Sequence, residues 1–245
     1  MLFPIGDDNS DRASVPYVNY IFIAINVVVF VFLQGLGGND AFTYAFSVVP
    51  REITTGVDLQ GLVPVTDIAG RVLGNIPLQP TPIPVWGTLI TSMFMHGGFM
   101  HLFGNMLYLW IFGDNLEDRI GHFRYAVFYL TCGVIAALAQ VFTGTDSVIP
   151  MLGASGAISG VLGGYLLLFP RRNVHAIIFY AVVQVPAYVA LGLWILFQII
   201  RGYLDSSEGG GVAYMAHIGG FVAGLLLIKI FAFGTKSSRT TAANA

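Results

Sequence analysis

The apolar residues of this chain gather into six long blocks, at residues 18–36, 95–116, 125–142, 155–169, 174–200 and 212–233. A helix that crosses ~30 Å of hydrocarbon needs ~20 such residues, so each block predicts a membrane-spanning helix. Polar segments separate them. Residues 1–17 form a polar tail without the pattern of a cleavable signal. Asp114, Glu117, Asp118 and Arg119 close the second block as a charged cluster, in which Glu117 and Arg119 read as a solvated boundary pair, and Pro170, Arg171 and Arg172 close the fourth. Residues 37–85 are rich in Gly and Pro and carry six charges, too broken to span and too apolar for an ordinary wet loop. They predict a long first loop lying on or partly in the membrane surface. The predicted fold is an all-α integral membrane protein. A cytoplasmic tail (1–17) precedes a six-helix membrane domain (18–233, with the long loop 37–85), and a second cytoplasmic tail (234–245) follows.

Composition supports this and narrows the partners. Hydrophobic residues make up 56% of the chain and charged residues only 10%, against about 25% charged in a soluble domain. Mean hydropathy is +0.75. With 11 Lys+Arg against 13 Asp+Glu, the net charge is −2. No basic stripe exists to neutralise phosphates, so no nucleic acid partner is expected. The single cysteine, Cys132, excludes an intramolecular disulfide and a cysteine-built metal site, and in the run LTCGVIAALA it reads as a small packing residue.

Basic residues alone set the orientation. With a cytoplasmic N-terminus, eight lie inside (Arg12, Arg119, Arg124, Arg171, Arg172, Lys229, Lys236, Arg239) against three outside (Arg51, Arg71, Arg201). Both termini are then cytoplasmic, and spans two, four and six all run from the outer to the inner face.

Polar groups within spans are costly and point to a functional site. His96, His101 and Asn105 lie near the outer end of span two, Ser155 at that of span four, and His217 at that of span six. The fourth block is 15 residues long, about 22 Å as a helix, so Ser155 begins below the outer surface. His217, five residues into its span, reaches a similar depth, ~7.5 Å. Gly156, Gly160 and Gly164, with Ala216, Gly220 and Gly224, form small-residue stripes that let two helices approach closely in lipid. Such packing brings His217 toward Ser155. A histidine beside a serine can take its proton as the hydroxyl attacks a carbonyl, which is the constellation of a hydrolase dyad. The oxyanion so formed needs donors. The helix N-terminus at Ser155, with His101 and Asn105 four apart on one face, could supply them. His96 and His101 are five apart with no acidic residue in the same stretch, which argues against a metal site.

These motifs resemble those of rhomboid intramembrane serine proteases. HGGFMHLFGN carries the His-x4-His-x3-Asn pattern, GASG the Gly-x-Ser-Gly pattern and AHIGGFVAG the Ala-His-x2-Gly-x3-Gly pattern, while GDNLEDRIG is similar to that family's Gly-x3-Glu-x3-Gly. The resemblance covers about residues 18–233. It implies a six-helix bundle with Ser155 as nucleophile and His217 as general base. His101, Asn105 and the Ser155 backbone N–H would form the oxyanion hole, and His96 would line the site nearby. It further implies membrane-anchored protein substrates cut within or beside a transmembrane segment, no cofactor, and a place in the plasma (cytoplasmic) membrane with the site opening to the outer face. Two positions depart from the pattern. Trp86 is followed by Gly87 where many members have arginine, and Ser159 stands where some have a tyrosine that packs on the catalytic imidazole. The competing class is a nonhydrolytic membrane protein, either a helix-binding relative or a small transporter. A transporter would more often show internal repeats, and none is found.

Overall fold

A computed structural model describes residues 3–66, 69–204 and 212–235. In chain order the elements are β1 (Phe3–Asp7), α1 (Tyr17–Val28, prolonged by a π turn over Val29–Leu33), α2 (Asp40–Phe46), α3 (Pro50–Thr55), β2 (Gly61–Thr66), β3 (Val72–Leu78), α4 (Thr88–Thr91), α5 (Phe99–Ile120), α6 (His122–Val141), α7 (Ser155–Leu168), β4 (Asn173–Ile178), β5 (Ala181–Pro186), α8 (Ala187–Leu204) and α9 (Tyr214–Phe231). By length and composition, α6, α8 and α9 are long and apolar enough to cross a membrane. Tyr17–Leu33, Val85–Phe94 and Ser155–Leu168 are shorter apolar helices.

The fold is mostly helical, but the all-α expectation is corrected by two small sheets. One is an antiparallel sheet in the order β1-β4-β5, the other the hairpin β2-β3. The first changes the fifth predicted span: Asn173–Ile178 and Ala181–Pro186 are strands joined by a turn, and the helix starts only at Ala187. Hydropathy alone cannot separate a short apolar strand from a helix. The β-branched residues Val174, Ile177, Ile178, Val182, Val183 and Val185 favour the pleated form. Segment 37–85, expected as a loop, contains α2, α3 and the hairpin. Span two also starts four residues later than expected, because Gly97 and Gly98 break the chain before Phe99. Beyond Thr235 the predicted C-terminal tail lies outside the described residues.

At one end of the bundle the buried acidic residues act as helix caps. Pro16, at the N-cap of α1, has no side-chain acceptor. Glu117, fully buried near the end of α5, accepts from the backbone N–H of Val18 at 2.9 Å and of Asn19 at 2.7 Å, and its carboxylate meets His122 Nδ1 at 2.5 Å. A carboxylate there satisfies orphan donors and complements the positive end of the α1 dipole. The solvated boundary expectation is therefore corrected for Glu117; Asp114 in the same charged cluster is also buried and pairs with Arg12. Asp118 accepts from the backbone N–H of Ala13 and Ser14 and from the Ser14 hydroxyl.

β1 joins the same end by pairing with β4. Its last residue, Asp7, is buried. Asp7 Oδ2 accepts from the Tyr165 hydroxyl at 2.5 Å and from Asn115 Nδ2 at 2.8 Å, while Oδ1 has no partner. Burial pushes the Asp7 carboxyl from 3.8 up to about 7 and nearby Asp114 adds to the rise, against the pull of the Tyr165 and Asn115 hydrogen bonds and of Arg172. Between these two pH values the folded chain holds a proton that the unfolded chain has released. The contribution of Asp7 to stability is then full below about pH 4, falls as pH rises toward about 7, and is gone above it. Thermal melts of detergent-solubilised protein between pH 5 and pH 8 should show this decline, and Asp7→Asn should flatten it.

The core centres on α7, in which residues 156–165 are all buried. Small residues set its spacing. A Cβ added to Gly220 would fall on the Gly156 carbonyl oxygen, and one added to Gly224 on that of Gly160. The expected stripes therefore meet, joined by Gly163, which faces the Phe221 carbonyl of α9. Gly164 instead turns to Phe128 and Ile228. Cys132 is fully buried against Gly160 from the α6 side. With no side chain between the backbones of α7 and α9, their first turns lie side by side.

Candidate active site

Ser155 is the first residue of α7, and His217 lies in the first turn of α9. His217 Nε2 stands 2.8 Å from Ser155 Oγ. No side chain on α9 itself caps its N-terminus. Gln140 of α6 performs that task, its Oε1 accepting from the backbone N–H of Met215 at 3.0 Å and of Ala216 at 3.2 Å. The Met215 N–H, an orphan donor at the helix start, is thereby satisfied from a neighbouring helix, while the Ala216 N–H is shared with the Ala213 carbonyl at 3.0 Å.

The other nitrogen of the imidazole is also occupied. His217 Nδ1 lies 2.8 Å from Oε1 of Gln198, which α8 presents. The ring is flanked by Trp194, at 6.0 Å between centroids, and by Tyr214, edge-on at 6.3 Å. These residues supply the support that a tyrosine four residues after Ser155 would have given. Ser159, which stands at that position, is buried and donates to the Ser155 carbonyl at 2.6 Å. It braces the serine backbone and not the imidazole.

His101 and Asn105 line the same cavity as Ser155 and His217, a space of about 1200 Å³. The His101 ring packs on Gly153, where an added Cβ would lie 3.0 Å from its Nε2 and 3.7 Å from Ser155 Oγ. Its Nδ1 accepts from the Gly97 N–H at 3.3 Å. That bond puts the ring proton on Nε2. Asn105 Nδ2 donates to the His101 carbonyl at 2.9 Å, leaving the second amide hydrogen for another acceptor. His96 is placed differently from the sequence expectation. It is buried behind His101, with ring centroids 5.1 Å apart, and is not among the residues lining the cavity. Its backbone exchanges hydrogen bonds with the Gln34 side chain, which ties the end of α1 to the start of α5.

Sequence reasoning missed Gln198, Gln140 and Trp194. A signal was present for the two glutamines, since each is a lone uncharged amide in an apolar run, ILFQII and ALAQVF. The rule that singled out Asn105 applies to them equally.

A family model described as the rhomboid domain matches residues 84–233, well over half of the chain. The chain belongs to the rhomboid family and is an integral membrane protein. It is 34% identical over 146 residues to "Rhomboid protein 1, mitochondrial" of Saccharomyces cerevisiae, covering 57% of this chain and 40% of that protein. It is 30% identical over 142 residues to "Putative rhomboid protease YdcA" of Bacillus subtilis, covering 58% and 65%. With "Rhomboid protease GluP" of Bacillus subtilis it shares 28% identity over 232 residues, covering 90% and 37%. The chain thus spans less than two thirds of the length of each of these curated relatives.

Proposed function

We propose that the protein is an intramembrane serine endopeptidase that cuts membrane-anchored proteins in or beside a transmembrane segment through a Ser155–His217 dyad. The observation that carries this reading is the 2.8 Å contact of His217 Nε2 with Ser155 Oγ at the wall of a large cavity. As Ser155 Oγ attacks the scissile carbonyl carbon, its proton passes to His217 Nε2 and the carbonyl electrons move onto oxygen. The Ser155 N–H at the α7 N-terminus, His101 Nε2–H and the remaining amide hydrogen of Asn105 stabilise that oxyanion. Collapse breaks the C–N bond, and the leaving amine takes the proton from His217. Water, deprotonated by the same imidazole, then hydrolyses the acyl ester.

In this reading six helices span the bilayer: α1 with its π turn, α5, α6, α7, α8 and α9. Both termini face the cytoplasm and the cavity opens to the outer face. α7 has 14 residues, about 21 Å of helix against a ~30 Å core, so Ser155 sits below the surface and the cavity admits the water that hydrolysis consumes. A substrate helix hides its carbonyls in hydrogen bonds, so segments with small or helix-breaking residues near the outer face should be preferred.

The test uses purified, detergent-solubilised protein with a fluorophosphonate probe and a membrane-anchored reporter. The wild type should be labelled at Ser155 and cleave the reporter. Ser155→Ala should do neither, and a Ser155→Ala protein that still cleaves at the wild-type rate would overturn the reading.

A further inference from the structure

We propose that Gln198 is a positioning residue whose side-chain carbonyl holds the His217 proton on Nδ1, keeping Nε2 free to accept from Ser155. The inference rests on the dyad reading above and adds a third member to it. Among the described residues, no carboxylate meets His217 Nδ1. That nitrogen is met at 2.8 Å by Gln198 Oε1, an acceptor that cannot take the proton for itself. A neutral imidazole has one N–H, and the hydrogen bond at one nitrogen decides which it is. With the carbonyl at Nδ1, the proton stays there and Nε2 presents its lone pair to the Ser155 hydroxyl, the protonation a general base requires.

The surroundings of Gln198 suit that role better than a packing one. α8 contributes few groups to the interior, and of its buried residues, Ala187, Ala190, Leu191 and Gln198, the amide is the one polar member. The exposed face of α8 is apolar, with Leu193, Leu196, Phe197, Ile199 and Ile200. Burying an amide on such a helix is costly unless it is hydrogen-bonded. Trp194, one turn earlier on the same face, flanks the His217 ring, so α8 fixes both the tilt of the imidazole and its tautomer.

Amide substitution also predicts a distinct pH response. When His217 becomes imidazolium during acylation, a carboxylate at this place would stabilise the charge and make the base harder to deprotonate, whereas a neutral amide does so less. Gln198→Glu should therefore shift the acid limb of the cleavage profile to higher pH. Gln198→Leu should lower kcat roughly 10-fold to 100-fold with little change in KM, because the base loses its orientation and not its substrate. A merely structural role would lower melting temperature without changing which His217 nitrogen carries the proton.

Protein labelled with [15N]histidine reads the tautomer directly and without activity, the His217 signals being assigned by their loss in His217→Ala. In the wild type Nδ1 should be protonated and Nε2 bare; in Gln198→Leu the Nε2–H form should gain. Gln198→Glu, which keeps size and acceptor, should retain the wild-type tautomer if the leucine variant fails to fold. A wild-type proton on Nε2, or a Gln198→Leu spectrum and cleavage profile indistinguishable from wild type, would overturn the proposal. Failure of the dyad itself is a separate result, because it appears as a wild type that neither labels at Ser155 nor cleaves.

Discussion

His217→Ala is expected to slow reporter cleavage by ~1000-fold or more and to abolish fluorophosphonate labelling of Ser155, while the melting temperature moves by only a few degrees. The imidazole stands between two partners, Ser155 Oγ and Gln198 Oε1, each at 2.8 Å. Without it, Ser155 keeps an ordinary hydroxyl whose proton has nowhere to go, and Gln198 cannot substitute because an amide is not a base at neutral pH. The proposed oxyanion donors should survive, since His101 is held by the Gly97 N–H and Asn105 by the His101 carbonyl, independently of α9. Residual cleavage above background is thus expected, as in serine hydrolases stripped of their base. Stability changes little because α9 is held by its glycines and by the Gln140 cap, neither of which touches the imidazole ring. Labelling of Ser155 that persists at the wild-type rate in His217→Ala would remove the dyad.

The place of Ser155 and His217 in the fold was legible in the sequence for physical reasons that do not extend to the whole molecule. In an apolar block a hydroxyl or imidazole stands out by its cost, and small residues every four positions show which helix backbones touch. Both signals are local and both survive without knowledge of the tertiary fold. The hairpin of β4 and β5 was not legible, because NVHAII and AVVQVP are apolar enough to continue a span and no polar residue marks the turn at Phe179 and Tyr180. The burial of Glu117 was also hidden. Its partners are backbone N–H groups of Val18 and Asn19, about a hundred positions earlier, and a sequence pattern shows side chains but not orphaned donors. Gln198 belongs to a third case. Its signal was present, but an uncharged amide is less conspicuous than histidine, and its meaning depends on a nitrogen of a residue 19 positions away.

Gly224→Val should be more damaging to the fold than any change at the dyad, and should silence the dyad from two turns away. The new Cβ would fall on the Gly160 carbonyl oxygen and carbon. Backbone atoms inside a helix cannot swing aside, so α7 and α9 must separate or shift along each other. Overpacking of a tight core costs about 1–3 kcal/mol, and contact with rigid backbone places this case at the upper end. The displacement reaches the site because Ser155 and His217 occupy the first turns of those two helices, and a separation of 1 Å stretches the 2.8 Å Oγ to Nε2 contact beyond hydrogen-bonding distance. Thermal melts should show a fall of roughly 5–10 °C, and Ser155 labelling should drop in the fraction that remains folded. Gly192→Ala is the control, since a Cβ at this glycine of α8 meets nothing within 4 Å. Removing a helical glycine there should leave stability unchanged or raise it by about 0.5–1 kcal/mol. Equal losses in the two variants would show that glycine content matters and close approach does not. A loss confined to Gly224→Val would tie the Ser155–His217 distance to the bare backbone contact of α7 with α9.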